Sequence, residues 1–452
     1  MRSTYVVFFF CVSCVVSSLL GTMSSTVFAQ TLPFEVVPQT VPPYYYVRYE
    51  GSETPGELVY PVIYTVWVPP KVETLRGVIV HQHGCGQGAA FTGLTGAFDL
   101  HWQALAKKHH FALLSASYEQ PSSEECRKWA DPRNGSQATF LRALADLGAQ
   151  AEHPELSSVP WALWGHSGGG YWVGGMTMLH PKRVLAAWLR SGGPRVESNP
   201  ERPELNPFSL IPEALTVPMM LHQGAVEGIT DRNHKQAKLW PLYQQLFHSM
   251  RSKGALIAHS VDIYAGHGCG NQRYFAIPWF DHMIESRLPQ EHQGPLISMP
   301  VESVWLAPLL GNEAVPAAEY KGNKMRAVWL PNQAIAEHWM SYMDGDAVAD
   351  LTPPPAPTDV VVQGNTLTWN AEADLESGLA YFIIERDGEF LAKLPQHHEE
   401  TINRPVFQPA YCSDKPKQPL PEMRFTDSSA IEGVAHKYRV KSVNTDGLES
   451  IH

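Results

Sequence analysis

A serine flanked by glycines is the residue whose setting most strongly indicates chemistry in this 452-residue chain. Ser167 lies in Gly165-His166-Ser167-Gly168-Gly169, directly after an apolar run at 161–164. In such an elbow a strand turns sharply into a helix, and glycine is needed on both sides because side chains there would collide with neighbouring backbone. The spacing predicts a serine nucleophile, with His166 turned away from the hydroxyl as a packing or support residue. A glycine-rich turn that only ends a buried strand is the alternative.

A serine hydroxyl needs a general base, and the base needs a carboxylate to orient it; one common chain order is serine, acid, histidine. His267, in Ala265-Gly266-His267-Gly268, is the predicted base. Glu227 follows a predicted strand and precedes a glycine, so it is the predicted acid. Asp231 is the alternative acid and Asp262 a more distant one. Each of these carboxylates could instead be a solvated surface group.

An oxyanion formed during acyl transfer needs two backbone N–H donors, one from the residue after the nucleophile and one from an earlier loop. Gly168 is predicted to supply the first. Cys85, in His83-Gly84-Cys85-Gly86-Gln87, is predicted to supply the second, with Gly86 as the runner-up. This loop lacks the spacing of a nucleotide-binding glycine loop and has no Walker lysine. The pair His81 and His83 has no evident third ligand, so neither a cofactor nor a metal is predicted.

Strands and helices that would position these residues alternate along 58–287. Short apolar runs predict strands at 60–68, 77–82, 111–116, 161–164, 184–189, 217–222 and 256–264. Apolar residues at three- and four-residue spacing predict helices at 100–109, 136–151, 169–179, 240–253 and 274–287. This alternation indicates the α/β class, with a doubly wound, mostly parallel sheet.

The rest of the chain divides at a proline-rich run. Residues 58–350 are predicted to form the catalytic domain, with strands at 304–310 and 327–330 and a helix at 332–343 packed on its core. Residues 351–357, which include Pro353-Pro354-Pro355-Ala356-Pro357, predict a semi-rigid linker. Alternating segments broken by glycines predict an all-β sandwich over 358–452.

The N-terminus predicts an export signal over 1–29. Arg2 precedes an apolar run at 5–20, and Val27-Phe28-Ala29 offers a cleavage site. The run is shorter than the ~20 residues that span a bilayer, so a secreted extracellular or periplasmic protein beginning near Gln30 is favoured over an anchored one. Residues 30–57 would then form an N-terminal segment.

Net charge and cysteine content indicate which partners the protein can bind and whether disulfides can form. The formal charge is −11, or −12 once Arg2 is removed, and no basic run is present, so nucleic acid is not a predicted partner. Export would place Cys85, Cys126, Cys269 and Cys412 where disulfides form. Their pairing stays open, because four cysteines allow three connectivities.

The motifs together resemble a known superfamily. The elbow, the loop histidine and the His-Gly loop over 58–287 resemble the α/β-hydrolases, and His83-Gly84-Cys85-Gly86-Gln87 with the elbow is similar to secreted esterases of the feruloyl esterase and polyhydroxyalkanoate depolymerase type. A glutamate acid departs from the aspartate usual in those depolymerases. The segments around Trp369, Ser377-Gly378-Leu379 and Tyr438 resemble a fibronectin type III domain. That resemblance implies a core role for Trp369 and a corner-tying hydroxyl for Tyr438.

The first resemblance implies a serine hydrolase that cleaves small or polymer-linked carboxylic esters through an acyl-enzyme. In it Ser167 attacks, His267 moves the proton and Glu227 fixes the imidazole. A serine peptidase of the same fold is one alternative, and a non-catalytic adhesion or binding protein is another. The C-terminal domain is expected to bind a polysaccharide or polyester surface.

Overall fold

The computed structural model of the protein describes residues 42–198, 206–292, 294–300, 303–345, 350–401, 404–407 and 423–451. The predicted signal segment 1–29 and Cys412 lie outside the described residues. None of the helices in the described ranges is both long enough and apolar enough to cross a membrane.

An eight-stranded sheet forms the centre of the larger part of the molecule. Its strands are β1 (Tyr44–Tyr49), β2 (Val62–Trp67), β3 (Gly77–Gln82), β4 (Phe111–Tyr118), β5 (Trp161–His166), β6 (Val184–Arg190), β7 (Met219–Gly224) and β8 (Ile257–Asp262). The spatial order is β1-β2-β4-β3-β5-β6-β7-β8. Strand β2 runs antiparallel to both neighbours, whereas β3 to β8 are mutually parallel. Because β2 to β8 are buried along their whole length, their sequences are almost continuously apolar.

Helices in the connections cover this sheet. They are α1 (Gln87–Gly93), α2 (Leu100–Lys108), α3 (Arg127–Ala130), α4 (Ser136–Gln150), α5 (Gly168–Leu179), α6 (Pro212–Leu215), α7 (Leu239–Arg251) and α8 (Arg273–Arg287). Short 3₁₀ helices occur at Gly96–Phe98, Pro132–Asn134, Pro154–Ser157 and Lys324–Arg326. Helix α5 packs on β5 and β6, α7 on β8, and α8 on β6. The strand order, the single antiparallel strand β2 and the covering helices are those of an α/β-hydrolase sheet, which confirms the predicted fold class.

Strand β1 was not predicted from the sequence. It lies in the segment expected to precede the sheet, and its residues YYYVRY show no alternation of apolar and polar side chains. It nevertheless pairs with β2 along its whole length. The Tyr49 hydroxyl also donates a hydrogen bond to Asp146 of α4 at 2.7 Å. Pairing with the sheet edge therefore decides a conformation that the local pattern leaves undetermined.

The region after α8 closes the β8 edge. It contains β9 (Trp305–Ala307), β10 (Val315–Pro316) and β11 (Val328–Leu330), which form a small antiparallel sheet, and α9 (Gln333–Asp344). Helix α9 packs on α8 and β8. Trp339 Nε1 donates to the carbonyl of His259 at 2.7 Å, and the Tyr342 hydroxyl lies 2.8 Å from His222 Nε2. These contacts attach α9 to the carboxyl-terminal strands of the large sheet.

Small antiparallel sheets make up the C-terminal part. The strands are β12 (Thr358–Gln363), β13 (Thr366–Asn370), β14 (Tyr381–Arg386), β15 (Glu389–Leu394), β16 (Glu399–Thr401), β17 (Arg404–Val406), β18 (Arg424–Thr426) and β19 (Tyr438–Val443). They form sheets of order β12-β13-β18, β15-β14-β19 and β16-β17. Trp369 is buried edge-on against Phe382, and the Tyr438 hydroxyl donates to Asp427 at 2.8 Å.

Helix α2 carries the contact between the two parts. Leu100 of α2 belongs to the same apolar cluster as Trp369 and Phe382. His101 Nε2 lies 2.8 Å from the carbonyl of Leu375, and Lys107 pairs with Glu372. The C-terminal sheets therefore pack against the helices that cover the large sheet.

Candidate active site

The predicted nucleophile lies where β5 ends and α5 begins. Ser167 directly follows β5 and has φ 54° and ψ −115°, a backbone conformation that side-chain-bearing residues rarely adopt. Such a conformation costs ~1–3 kcal/mol and persists only where the surrounding structure enforces it. Here the Ser167 N–H donates to the carbonyl of Arg190 at 2.7 Å, and its carbonyl accepts from the N–H of Tyr171 at 3.1 Å.

The glycines on either side permit this turn. A Cβ on Gly165 would collide with the carbonyl of Gly169, and a Cβ on Gly169 would collide with the carbonyl of Gln82 on β3. The chain can therefore pass from strand to helix only if both positions lack a side chain. The Gly-x-Ser-x-Gly spacing in the sequence follows from these two close approaches.

Three predicted residues form one hydrogen-bonded line. His267 Nε2 lies 3.0 Å from Ser167 Oγ, and His267 Nδ1 lies 2.5 Å from Glu227 Oε1. The imidazole is therefore held with its Nδ1–H on the carboxylate and its Nε2 facing the hydroxyl, the geometry of a general base on a serine nucleophile. These contacts join residues that are 100 and 40 positions apart in sequence.

The acid of this line is buried and held ionised. Both carboxylate oxygens of Glu227 are used: Oε1 faces His267, while Oε2 accepts from Ser191 Oγ, Arg190 Nη1 and the Gly224 N–H. Burial disfavours the charged form, but the hydrogen bond from His267 and the charge of Arg190 outweigh it and lower the pKa of Glu227 to about 2. The carboxylate is thus available to stabilise an imidazolium throughout the neutral range.

The other candidate acids do other work. Asp231 accepts the N–H of Asn233 at 2.9 Å in a surface turn, and no contact joins it to His267 among the described residues. Asp262 caps the histidine loop: its two oxygens accept the N–H groups of Tyr264, Ala265 and Asn271 at 2.9–3.1 Å. The structure therefore brings Glu227, and neither aspartate, to the imidazole.

His166 supports the histidine loop from the strand side. Its Nε2 lies 2.6 Å from the carbonyl of His267, and the two rings are 5.0 Å apart. Burial and the neighbouring positive groups hold the pKa of His166 well below its ordinary value, so the ring is neutral and donates from Nε2. The residue that precedes the nucleophile is thus a support residue.

Two polar residues at the end of β6 escaped the sequence analysis. Arg190 and Ser191 follow the apolar run of β6 and are fully buried, and both contact Glu227. A buried arginine needs partners. The sequence feature that could have identified this residue was therefore a lone arginine at the end of a strand predicted to be buried on both faces.

The predicted oxyanion donors lie next to one another. Gly168 begins α5, and N–H groups in the first turn of a helix have no intrahelical acceptor. A Cβ on Gly168 would collide with Sγ of both Cys85 and Cys126, which form a disulfide. The Cys85 loop is therefore pinned against the elbow. The amide of Gly86, the runner-up, already donates to Gln120 Oε1 at 3.2 Å.

The two histidines that could have formed a metal pair, His81 and His83, both pack against neighbouring side chains. His81 lies between the rings of Trp102 and Trp164, at 4.3 and 4.8 Å. His83 Nε2 accepts the N–H of Tyr118 at 3.0 Å. The two rings support the strand that delivers the Cys85 loop.

A cavity of about 340 Å³ opens over Ser167 and His267. One wall is apolar and comes from α7, with Leu239, Leu242 and Leu246. Cys126 and Tyr171 also line the cavity. This volume is at the lower end of the range of ligand pockets in proteins, and the serine hydroxyl faces it beside an apolar surface.

Comparisons with known proteins give only distant likenesses. No protein-family model and no curated protein matches the chain. Among solved structures, a thermostable esterase is 15% identical, with coverage of 48% of this chain and 54% of that chain and a TM-score of 0.33. The siderophore hydrolase EstB from Aspergillus nidulans is 15% identical, with coverage of 56% and 98% and a TM-score of 0.35.

An S-formylglutathione hydrolase from Agrobacterium tumefaciens is 16% identical, with coverage of 54% of this chain and 95% of that chain and a TM-score of 0.34. The chain spans about half the length of the thermostable esterase. Likeness of this degree assigns no activity to the chain, so its chemistry follows from the geometry around Ser167.

Proposed function

We propose that the protein is a serine hydrolase that cleaves carboxylic esters through an acyl-enzyme. The observation that carries the proposal is the continuous line from Ser167 Oγ through His267 to Glu227, at 3.0 and 2.5 Å, beneath an open cavity. A hydroxyl, an imidazole and a buried carboxylate in this order make a nucleophile, its base and the group that orients the base.

Acylation begins when Ser167 Oγ attacks the ester carbonyl carbon and its proton passes to His267 Nε2. Glu227 stabilises the resulting imidazolium and keeps Nδ1 protonated. The oxyanion is held by the amides of Gly168 and Cys85, and His267 then returns the proton to the departing alcohol. Water attacks the acyl-enzyme by the same route in reverse, which releases the acid and restores Ser167.

The cavity favours a substrate with an apolar acyl or alcohol group. Its α7 wall presents leucine side chains, and its volume suits a single medium-sized group rather than a long folded chain. Aromatic esters of the feruloyl type and short hydroxyalkanoate esters, which the sequence resemblance suggests, both meet these conditions.

A matched substrate panel tests the proposal. Purified mature protein and Ser167→Ala should be assayed on nitrophenyl esters, feruloyl esters, hydroxyalkanoate oligomers and peptidyl nitroanilides. We expect turnover of esters by the wild type, a loss of at least ~10³-fold in Ser167→Ala, and little turnover of the amides. Faster amide than ester turnover would make the protein a peptidase, and equal rates for wild type and Ser167→Ala would remove the enzymatic proposal.

We further propose that the C-terminal part is a fibronectin type III-like domain that holds the enzyme on an insoluble polymer. Two three-stranded sheets, the buried Trp369 and the Tyr438–Asp427 hydrogen bond support the domain type. An apolar surface supports the binding role, because Val362 on the edge strand β12 is 46% exposed and Val434, which lines the same surface pocket, is 51% exposed.

Exposed positions allow this role to be tested without removing the domain. The double variant Val362→Glu and Val434→Glu should retain activity on a soluble ester and lose adsorption to, and turnover of, polyester or polysaccharide-ester particles. An equal fall on soluble and insoluble substrates would indicate a structural effect, and unchanged adsorption would exclude this surface as the binding site.

Export is proposed from the signal segment, and the disulfide between Cys85 and Cys126 supports it, because disulfides persist in oxidising compartments. Expression with the native N-terminus should release a chain that begins near Gln30 into the periplasm or medium. A chain that keeps residues 1–29 in the membrane fraction would contradict the cleavage prediction.

A further inference from the structure

Arg190 contacts Ser167, Glu227 and the loop that carries His267. Its carbonyl accepts the N–H of Ser167 at 2.7 Å, and its Nη1 donates to Glu227 Oε2 at 3.0 Å. Its Nη2 donates to the carbonyl of Gly266 at 2.6 Å and to that of Gly268. The side chain of Arg190 is fully buried.

The guanidinium geometry matches this set of acceptors. The remaining Nη1 hydrogen bonds to Ser191 Oγ, so all four Nη hydrogens have acceptors, and the planar group holds them in fixed directions. The carbonyls of Gly266 and Gly268 flank that of His267, which is bound by His166 Nε2. Three consecutive carbonyls of the histidine loop are therefore fixed, two of them by Arg190.

The charge of Arg190 acts on the acid of the candidate triad. Burial raises the pKa of the Glu227 carboxyl, but the hydrogen bond from His267 and the positive charge of Arg190 outweigh burial and lower it to about 2. Arg190 therefore keeps Glu227 ionised as well as fixed in position.

We propose that Arg190 is a positioning residue for the ester hydrolysis proposed above: it fixes the histidine loop against Glu227. This inference rests on the proposed function. It assigns the alignment of the base to a residue outside the triad.

Replacement of the charge by a neutral donor tests the proposal. In Arg190→Gln, kcat on a soluble ester should fall ~100-fold, because the base loses its alignment while the substrate cavity is unchanged. KM should stay within about threefold of the wild-type value. The rate at which a fluorophosphonate labels Ser167 should fall by a similar factor, because labelling also needs the aligned base.

Arg287→Gln is the matched control. Arg287 is also buried and its Nη1 donates to the carbonyls of Val184 and Leu185, at the opposite end of the same strand β6. Its loss should lower stability and leave kcat and KM close to the wild-type values. Arg190→Lys keeps the charge without the fork, so its kcat should stay reduced while KM matches the wild type.

The outcomes separate the possible roles. If Arg190→Gln folds and its kcat falls no further than that of Arg287→Gln, the residue is merely structural and the proposal is overturned. If Arg190→Gln does not fold, Arg190→Lys decides: reduced kcat with a wild-type KM supports the proposal, and wild-type kcat overturns it. Failure of the proposed function would appear instead as undiminished turnover by Ser167→Ala.

Discussion

At the scale of single residues, the elbow keeps Ser167 in a conformation that its own side chain disfavours. Glycine adopts positive φ without that cost. We therefore predict that Ser167→Gly is inactive yet more stable than Ser167→Ala by ~1 kcal/mol, the released strain less the greater unfolded-state entropy of glycine. Urea unfolding of the two variants measures the difference. An alanine variant as stable as the glycine variant would show that the elbow is unstrained.

The identity of the acid is also decided at this scale. Glu227→Gln should lower kcat by ~10³-fold or more, because an amide can neither stabilise the imidazolium nor hold the productive tautomer. Asp231→Asn should leave kcat unchanged, since Asp231 accepts only a local N–H. Steady-state kinetics on one soluble ester compares them. A larger loss in Asp231→Asn would reassign the acid.

The sequence indicated Ser167, His267 and Glu227 because each stands beside glycine in a loop that follows a predicted strand. Arg190 could not be predicted in the same way. An arginine after an apolar strand is ordinarily solvated, and only the packed structure shows that Glu227 and the histidine loop surround it.

At the scale of elements, the disulfide between Cys85 and Cys126 joins the loop after β3 to the start of α3, directly against the elbow. The sequence left this pairing open, because the loops that carry the two cysteines follow β3 and β4 and come together only where those strands pair. Pairing with β6 likewise explains why β5 extends to His166, beyond the apolar run that ended its predicted range, since His166 pairs with Arg190.

Reduction of this disulfide should lower kcat, because the predicted oxyanion donor Cys85 loses its tether. The closed loop spans 41 residues, so stability should also fall by up to ~4 kcal/mol. Assays before and after dithiothreitol treatment, with thiol titration, measure both effects. The double variant Cys85→Ser and Cys126→Ser should have the kcat and stability of the reduced wild type, and dithiothreitol should not change either. Full activity of the reduced wild type would exclude the tether role.

At the scale of the whole molecule, buried histidines couple stability to pH. Burial lowers the pKa of His101 and of His259 to about 4 and holds those of His166 and His222 well below 6.5. The folded state therefore binds fewer protons than the unfolded state in mildly acidic solution. The contribution of these neutral histidines to the free energy of unfolding is fully present above pH ~6.5 and is lost progressively as the pH falls towards ~4.

Four such groups change the free energy of unfolding by up to ~5 kcal/mol per pH unit, because each proton contributes ~1.4 kcal/mol per pH unit. Urea midpoints should consequently fall steeply between pH 6.5 and 5. His101→Gln, which removes the titrating ring at the contact with Leu375, should reduce the slope by about one proton. Midpoints that stay constant from pH 7 to pH 5 would contradict this coupling.

The large sheet of the molecule was predictable because its strands are long apolar runs separated by amphipathic helices, and the α9 helix was predictable for the same reason. The packing of α9 against β8 was not predictable from the sequence. Trp339 and Tyr342 can contact the buried His259 carbonyl and the His222 ring only once the sheet has formed.

The central claim is that His267 activates Ser167 for covalent chemistry. Reaction with a fluorophosphonate, followed by mass spectrometry of the peptide that contains residue 167, tests it directly. The account predicts one label on Ser167 in the wild type, none in Ser167→Ala, and labelling slowed by at least ~100-fold in His267→Ala. An unlabelled wild type, or a label that persists in Ser167→Ala, would contradict it.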